Sequence, residues 1–225
     1  MRRGRLAAAL GTVALVLAMP AAPAPRRVSD AVYRIRADLR LCPSPLCGGF
    51  FVSRVNRATT PCDDAVSRAW CYVSTLDLSQ VPAPARGRLQ AAERSGGLLL
   101  RGRPVHSEGA PELRSAWTFV AADGWLSATT AAWQGTVYLI RDIGIRCVRA
   151  PCFSLRASVV NGVTIRSVSG LDLNGVAAPP ALVRKAQTAV NASGLLVAGT
   201  IRLDKAGVPT SGRTLVGTQF FLPAG

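Results

Sequence analysis

His106 is the only histidine in a chain of 225 residues, and with it the catalytic inventory is nearly exhausted. Imidazole is the side chain that titrates near neutrality, and a serine or cysteine hydrolase needs such a base within reach of its nucleophile. No serine sits in a nucleophile elbow, and His106 lies in a polar stretch with Glu108, Gly109 and Pro111 that reads as a loop. No enzymatic activity is therefore expected; a hydrolase working through His106 or the carboxylates is the remaining catalytic alternative. Acidic residues number only 12. Asp63-Asp64 falls short of the roughly 6–8 oxygens that calcium takes, so a solvated turn is expected there. Asp77 and Asp172 each end a predicted strand before a helix. Carboxylates so placed bond turn amides or a helix N-terminus; a pair of equivalent ligand contacts is the functional alternative. No metal and no cofactor is expected.

The six cysteines are the most specific local feature. Two pairs span four residues each, Cys42-Pro-Ser-Pro-Leu-Cys47 and Cys147-Val-Arg-Ala-Pro-Cys152, and Cys62 and Cys71 form the third. Zinc is disfavoured, because neither loop has a histidine or a second cysteine pair at metal spacing. Disulfides Cys42–Cys47, Cys62–Cys71 and Cys147–Cys152 are expected instead, each worth roughly 2–3 kcal/mol on the chain-entropy model. Pro43, Pro45 and Pro151 would stiffen the two short loops. Rigid loops lose little entropy on binding, so they are either recognition loops, with Arg40, Arg146 and Arg149 beside them, or tight connections between strands.

The start of the chain gives the cysteines their context. Arg2, Arg3 and Arg5 precede an apolar run from Leu6 to Met19, and small residues follow. That is the pattern of an export signal, cut between Ala21 and Ala24, and the run is shorter than the ~20 residues of a membrane span. No later span and no cysteine near the cut are present, so a soluble, exported protein without a lipid anchor is expected, periplasmic or extracellular. An oxidising compartment permits disulfides.

The chain also repeats itself. Tyr33-Arg-Ile-Arg36 and the loop after it return 105 residues later as Tyr138-Leu-Ile-Arg141 and its loop, and Asn56 returns as Asn161. Beyond the Cys62/Cys71 segment the offset falls to 95, with Val73-Ser-Thr-Leu-Asp-Leu78 against Val168-Ser-Gly-Leu-Asp-Leu173. Self-similarity of this kind fixes architecture before any local reading. It divides the chain into a leader (1–24), a tail (25–31), a first module (32–132) and a second (133–225).

Each module reads as strands, one helix, then strands. Val32 to Arg36, Phe50 to Asn56 and Cys71 to Leu78 are predicted strands. Pro82 and Pro84 open a helix to about Arg94, and Leu98 to Arg103 and Ser115 to Ala121 follow as strands. A separate strand over Trp125 to Ala132 leads to a turn at Trp133 to Thr136. In the second module Phe153 to Val160 and Val163 to Leu171 are strands, and Pro179-Pro180 opens a helix with Leu182, Val183, Ala186, Ala189 and Val190 on one stripe. Leu195 to Leu203 and Leu215 to Leu222 complete it. The fold class is α+β: two similar strand-rich modules, each with one helix, packed as a pseudo-twofold duplicated domain.

Net charge is +15, or +12 once the three leader arginines are removed, and 25 of the 27 cations are arginine. Such a balance favours an anionic partner. The arginines are dispersed, however, and no aromatics are interleaved with them along the chain, so nucleic acid is not expected. Tyr33, the Cys42–Cys47 loop with Gly48-Gly-Phe-Phe-Val52, the Cys71 to Asp77 strand and the Gly144 to Cys152 loop resemble an uncharacterised family of exported bacterial proteins, a domain of unknown function found largely in myxobacterial-type genomes. The resemblance implies export and no known activity. The expected function is a non-enzymatic binding or structural module of the envelope or extracellular space, with an anionic envelope polymer or a secreted protein as partner; an inhibitor of secreted proteases, acting through a disulfide-closed loop, is the alternative.

Overall fold

Alternating burial marks the first strand: Ala31, Tyr33 and Ile35 are buried while Arg34 and Arg36 are exposed, as a half-covered sheet requires. The computed structural model describes residues 30–41, 47–62, 66–94, 96–106, 117–205 and 211–225. The leader, the tail to residue 29, Cys42, Pro43 and Pro45, and Asp63-Asp64 lie outside the described residues.

The elements are β1 (Ala31–Ala37), β2 (Phe50–Arg54), β3 (Thr60–Pro61), β4 (Ser67–Arg68), β5 (Cys71–Val73), β6 (Thr75–Asp77), α1 (Ala83–Ala92), β7 (Leu98–His106) and β8 (Trp117–Ser127). They continue as β9 (Thr136–Asp142), β10 (Leu155–Val159), β11 (Ile165–Val168), β12 (Gly170–Asp172), α2 (Pro180–Asn191), β13 (Leu195–Leu203) and β14 (Arg213–Pro223). One large sheet runs in the order β11-β10-β9-β13-β14-β8-β7-β1-β2-β5, with β12 added on β14 and β6 on β8. Pairing is antiparallel except for those two additions; β3 and β4 form a small ribbon of their own. With two helices on a mainly antiparallel sheet, the fold is α+β and strand-dominated.

The order reads alike from either end, because β14 pairs with β8 in the middle through Phe221↔Ser127, Leu222↔Leu126 and Pro223↔Trp125. Each helix covers its own half. Ala85 and Leu89 of α1 pack with Tyr33, Phe119 and Leu100, and the α2 stripe packs as its spacing predicts, with Ala186 and Val190 buried and Leu182, Val183 and Ala189 partly so. A third core is shared: Val55 and Leu99 from the first half meet Val137, Val160, Leu196 and Phe221 from the second.

Several sequence expectations are corrected. The strand read over Cys71 to Leu78 is two, broken at Ser74, whose amide and hydroxyl both donate to the Trp117 carbonyl. Ser169 breaks the Val163 to Leu171 strand in the same way against Arg213. This lets β5 and β11 stay at the sheet's ends while β6 and β12 cross to the middle. The separate strand over Trp125 to Ala132 is instead the end of β8, which runs unbroken to Ser127. His106 is the last residue of β7, in register with Trp117, rather than in a loop. Both long hairpins bend where glycine is required: β-carbons on Gly102 and Gly199 would lie 2.1 Å from the Val120 and Val216 carbonyl oxygens, and the pairing register shifts at those points, as at a β-bulge.

Candidate functional site

Where the two halves meet, the turn after β10 is tied to β1, and the turn after β2 to β9, by asparagine side chains instead of a ladder. Asn161 accepts from the Val32 amide at 2.9 Å and donates to the carbonyls of Val32 (2.7 Å) and Val55 (3.0 Å). Asn56 does the reciprocal: its oxygen accepts from Val137 at 2.9 Å, and its amide donates to Val137 (2.7 Å) and Val160 (2.9 Å). Both asparagines have positive φ, 58° and 57°, a conformation that asparagine tolerates better than most residues. The seam ties each half to the other's first strand, and a cavity opens beside each asparagine.

The first cavity, about 300 Å3, is lined by Arg34, Ser53, Arg57, Trp70, Trp133 and neighbours of Asn56. From it runs a stack of alternating rings and guanidiniums. Arg34 lies 4.4 Å from the Trp133 ring centre and 5.7 Å from Trp70. Arg36 lies 4.3 Å from Trp70 and 5.0 Å from Phe51. Arg40 lies 5.3 Å from Phe51 and 5.7 Å from Tyr72. Each contact is worth roughly 0.5–1 kcal/mol at an exposed site and holds a guanidinium beside a ring. The strand geometry supplies the spacing, since residues 34 and 36 lie on one face of β1, in register with Ser53 and Phe51 of β2. Partial burial, and then the charge of Arg36, hold Arg34 below the ordinary arginine value. No carboxylate forms an ion pair with Arg34 or Arg36 among the described residues.

The residues singled out from sequence are placed differently. Arg40 belongs to the stack and is also held by Asp38, at 2.7 Å; hydrogen bonds from Arg40 keep the Asp38 carboxyl below its ordinary range. Cys47 is disulfide-bonded, and its sulfur lies 3.2 Å from the Arg40 carbonyl oxygen, so this cysteine adjoins the stack. Cys62–Cys71 and Cys147–Cys152 are bonded as predicted. Arg146 pairs with Asp142 at 2.9 Å, whereas Arg149 and Pro151 are exposed, and Val148, just before Arg149, is 102% exposed. Asp77 and Asp172 each accept from the amide two residues on, Ser79 at 2.8 Å and Asn174 at 2.9 Å, as in an Asx-turn. Neither caps its helix, since Pro82 and Pro179 stand at the N-caps without a side-chain bond.

The interleaved aromatics that the linear sequence lacks are thus present in space. Arg34 and Arg36 were legible as the charged face of a half-buried strand, and Phe51 as part of another strand, where it is half-buried. Trp70 and Trp133 come from segments 63 residues apart in numbering, and no local pattern joins them.

No helix among the described residues is long and apolar enough to cross a membrane. No curated protein and no solved structure matches the chain significantly. A family profile does match, over residues 31–225, which takes in every described element of the sheet. The chain belongs to that family, described as a domain of unknown function, DUF6748.

Proposed function

We propose that this is an exported, non-enzymatic binding module, arisen by duplication of a strand-rich unit (32–132 and 133–225 behind a leader at 1–24), and that its partner is an anionic polymer of the cell envelope or extracellular space. The observation that carries the reading is the Trp133–Arg34–Trp70–Arg36–Phe51–Arg40–Tyr72 stack. Its guanidiniums are ordered before any ligand arrives, which lowers the entropy cost of capture, and those of Arg34 and Arg36, which form no ion pair among the described residues, suit carboxylate, sulfate or phosphate oxygens. Proteins that bind single-stranded nucleic acid need open ring faces for bases. Here Trp70 and Phe51 each have two guanidiniums against the ring, and Trp133 and Tyr72 make edge contacts with Phe221 and Phe51. An oxyanion-bearing envelope polymer therefore fits better than nucleic acid. The disulfides agree with an oxidising compartment.

The test is salt-dependent retention on an immobilised polyuronate, beside a single-stranded oligonucleotide. The expected result is retention on the polyuronate, weakened at least ten-fold, or about 1.4 kcal/mol, in Arg34→Ala/Arg36→Ala, with the variant still folded by circular dichroism at the assay temperature. No retention, retention indifferent to that double change, or preference for the oligonucleotide would each sink the proposal.

A second reading rests on the Cys147–Cys152 loop. It is closed by a disulfide and carries Val148 fully exposed between Arg146 and Arg149, the form of a rigid insert for a protease cleft. Assay against secreted trypsin-like and elastase-like proteases tests it: no inhibition at micromolar protein removes it.

A further inference from the structure

On the opposite side of the asparagine seam lies a second cavity of about 550 Å3, within the range of small-molecule sites. Its residues answer those of the first cavity 105 positions earlier: Leu139 stands where Arg34 does, Ser158 where Ser53 does, and Asn161 where Asn56 does. The chemistry has diverged. Val32, Val81, Ala85, Trp125, Leu139 and Leu196 make its walls apolar. Within the lining, Arg101 is paired with Asp123, but Arg141 has no carboxylate or hydrogen-bond partner among the described residues.

Arg141 is held in place from below. Gly194, at φ +95°, lies beneath its stem, and a β-carbon there would come within 2.7 Å of the Arg141 Cγ and Nε. Across the strand pair, Arg141 is in register with Arg156, so two exposed guanidiniums share the face that continues into the cavity. Like charges directly opposite on a sheet oppose folding, unless an anion lies between them. In the first half the matching pair is Arg36 and Phe51, where a ring takes that role.

We propose that this cavity binds a small amphipathic anion, its apolar body between Leu139, Leu196 and Trp125 and its oxyanion head on Arg141 and Arg156. The site is separate from the arginine–aromatic stack, and its occupancy does not depend on the polymer reading.

Calorimetric titration of the full chain with decanoate, decyl phosphate and decanol tests it. One equivalent of decanoate or decyl phosphate is expected to bind at least ten-fold tighter than decanol; whichever of the two binds tighter identifies the head group. Arg141→Gln, a change at an exposed position, should bring the anion down to the affinity of decanol. Leu139→Gln should weaken decanol and anion alike, and Arg34→Ala/Arg36→Ala should change neither. Equal binding of decanol and both anions, absence of binding by either anion, or an unchanged preference in Arg141→Gln would overturn the proposal. Loss of polyuronate retention with decanoate binding intact would instead count against the polymer reading alone.

Discussion

Removing the Asn161 side chain tests the seam directly, and the structure provides the variants that separate its two contributions. Asn161→Gly keeps the left-handed backbone at no steric cost and deletes three hydrogen bonds, to Val32 N, Val32 O and Val55 O. At about 1 kcal/mol for each bond, the loss is about 3 kcal/mol. Asn161→Ala adds the cost of φ near 57° for a residue with a β-carbon, a further ~1 kcal/mol. Asn161→Asp keeps the acceptor and sets a carboxylate against two carbonyls, so it should be at least as harmful as the glycine change. In urea titrations with a slope of roughly 2 kcal/mol/M, the glycine variant's midpoint should fall by about 1.5 M with the slope unchanged, and the alanine variant's further still. Asn56→Gly should match Asn161→Gly, since its three bonds are the same in kind and length. The double glycine variant should cost less than the sum, because either loss loosens the one seam on which both act. A loss below about 1 kcal/mol for Asn161→Gly would show that the shared core alone holds the halves together. An alanine variant as stable as the glycine variant would refute the backbone part of the argument.

Acid should weaken the fold through Asp38. Its folded pKa is depressed, by hydrogen bonds from Arg40 first, so its stabilisation is complete above the ordinary carboxylate value of about 3.9 and is lost as pH falls below it. Urea midpoints at successive pH values below 5 should therefore fall less steeply in Asp38→Asn than in the parent chain. Replacing Cys62 and Cys71, separated by 9 in sequence, with alanine should cost about 2.5 kcal/mol on the chain-entropy model, readable as a lower melting temperature. Gly199→Ala should cost roughly 2–4 kcal/mol, because the Val216 carbonyl oxygen 2.1 Å from the new β-carbon is backbone and cannot turn aside; a change under 1 kcal/mol in chemical unfolding would show that the bulge relaxes.

The elements whose signals are local were legible in the sequence. Leu195–Leu203 was predicted to the residue, and Pro180 opens α2 as proline at a first turn should. What sequence hides is where one strand changes partner. Cys71 to Leu78 is uniformly strand-like, and the break at Ser74 exists only because the Trp117 carbonyl is there to receive it. The asparagines were visible as a repeated letter, but nothing local says that a side chain will stand in for a β-ladder. At the candidate site the same division holds. Alternation along β1 put Arg34 and Arg36 on one exposed face, whereas Trp70 and Trp133 are brought to them by the sheet's curl.

The place of β14 has a consequence for the order of events during synthesis. It is made after every other described strand, yet it lies in the centre of the sheet, between β13 and β8. Until it arrives, the far end of β8 is an open edge next to an apolar surface. A half-made chain is therefore a template for any passing strand, including the β14 of a sister molecule. Exchange of that strand between two chains would satisfy every hydrogen bond seen within one, so concentrated refolding should yield intertwined dimers, and slow dilution monomers.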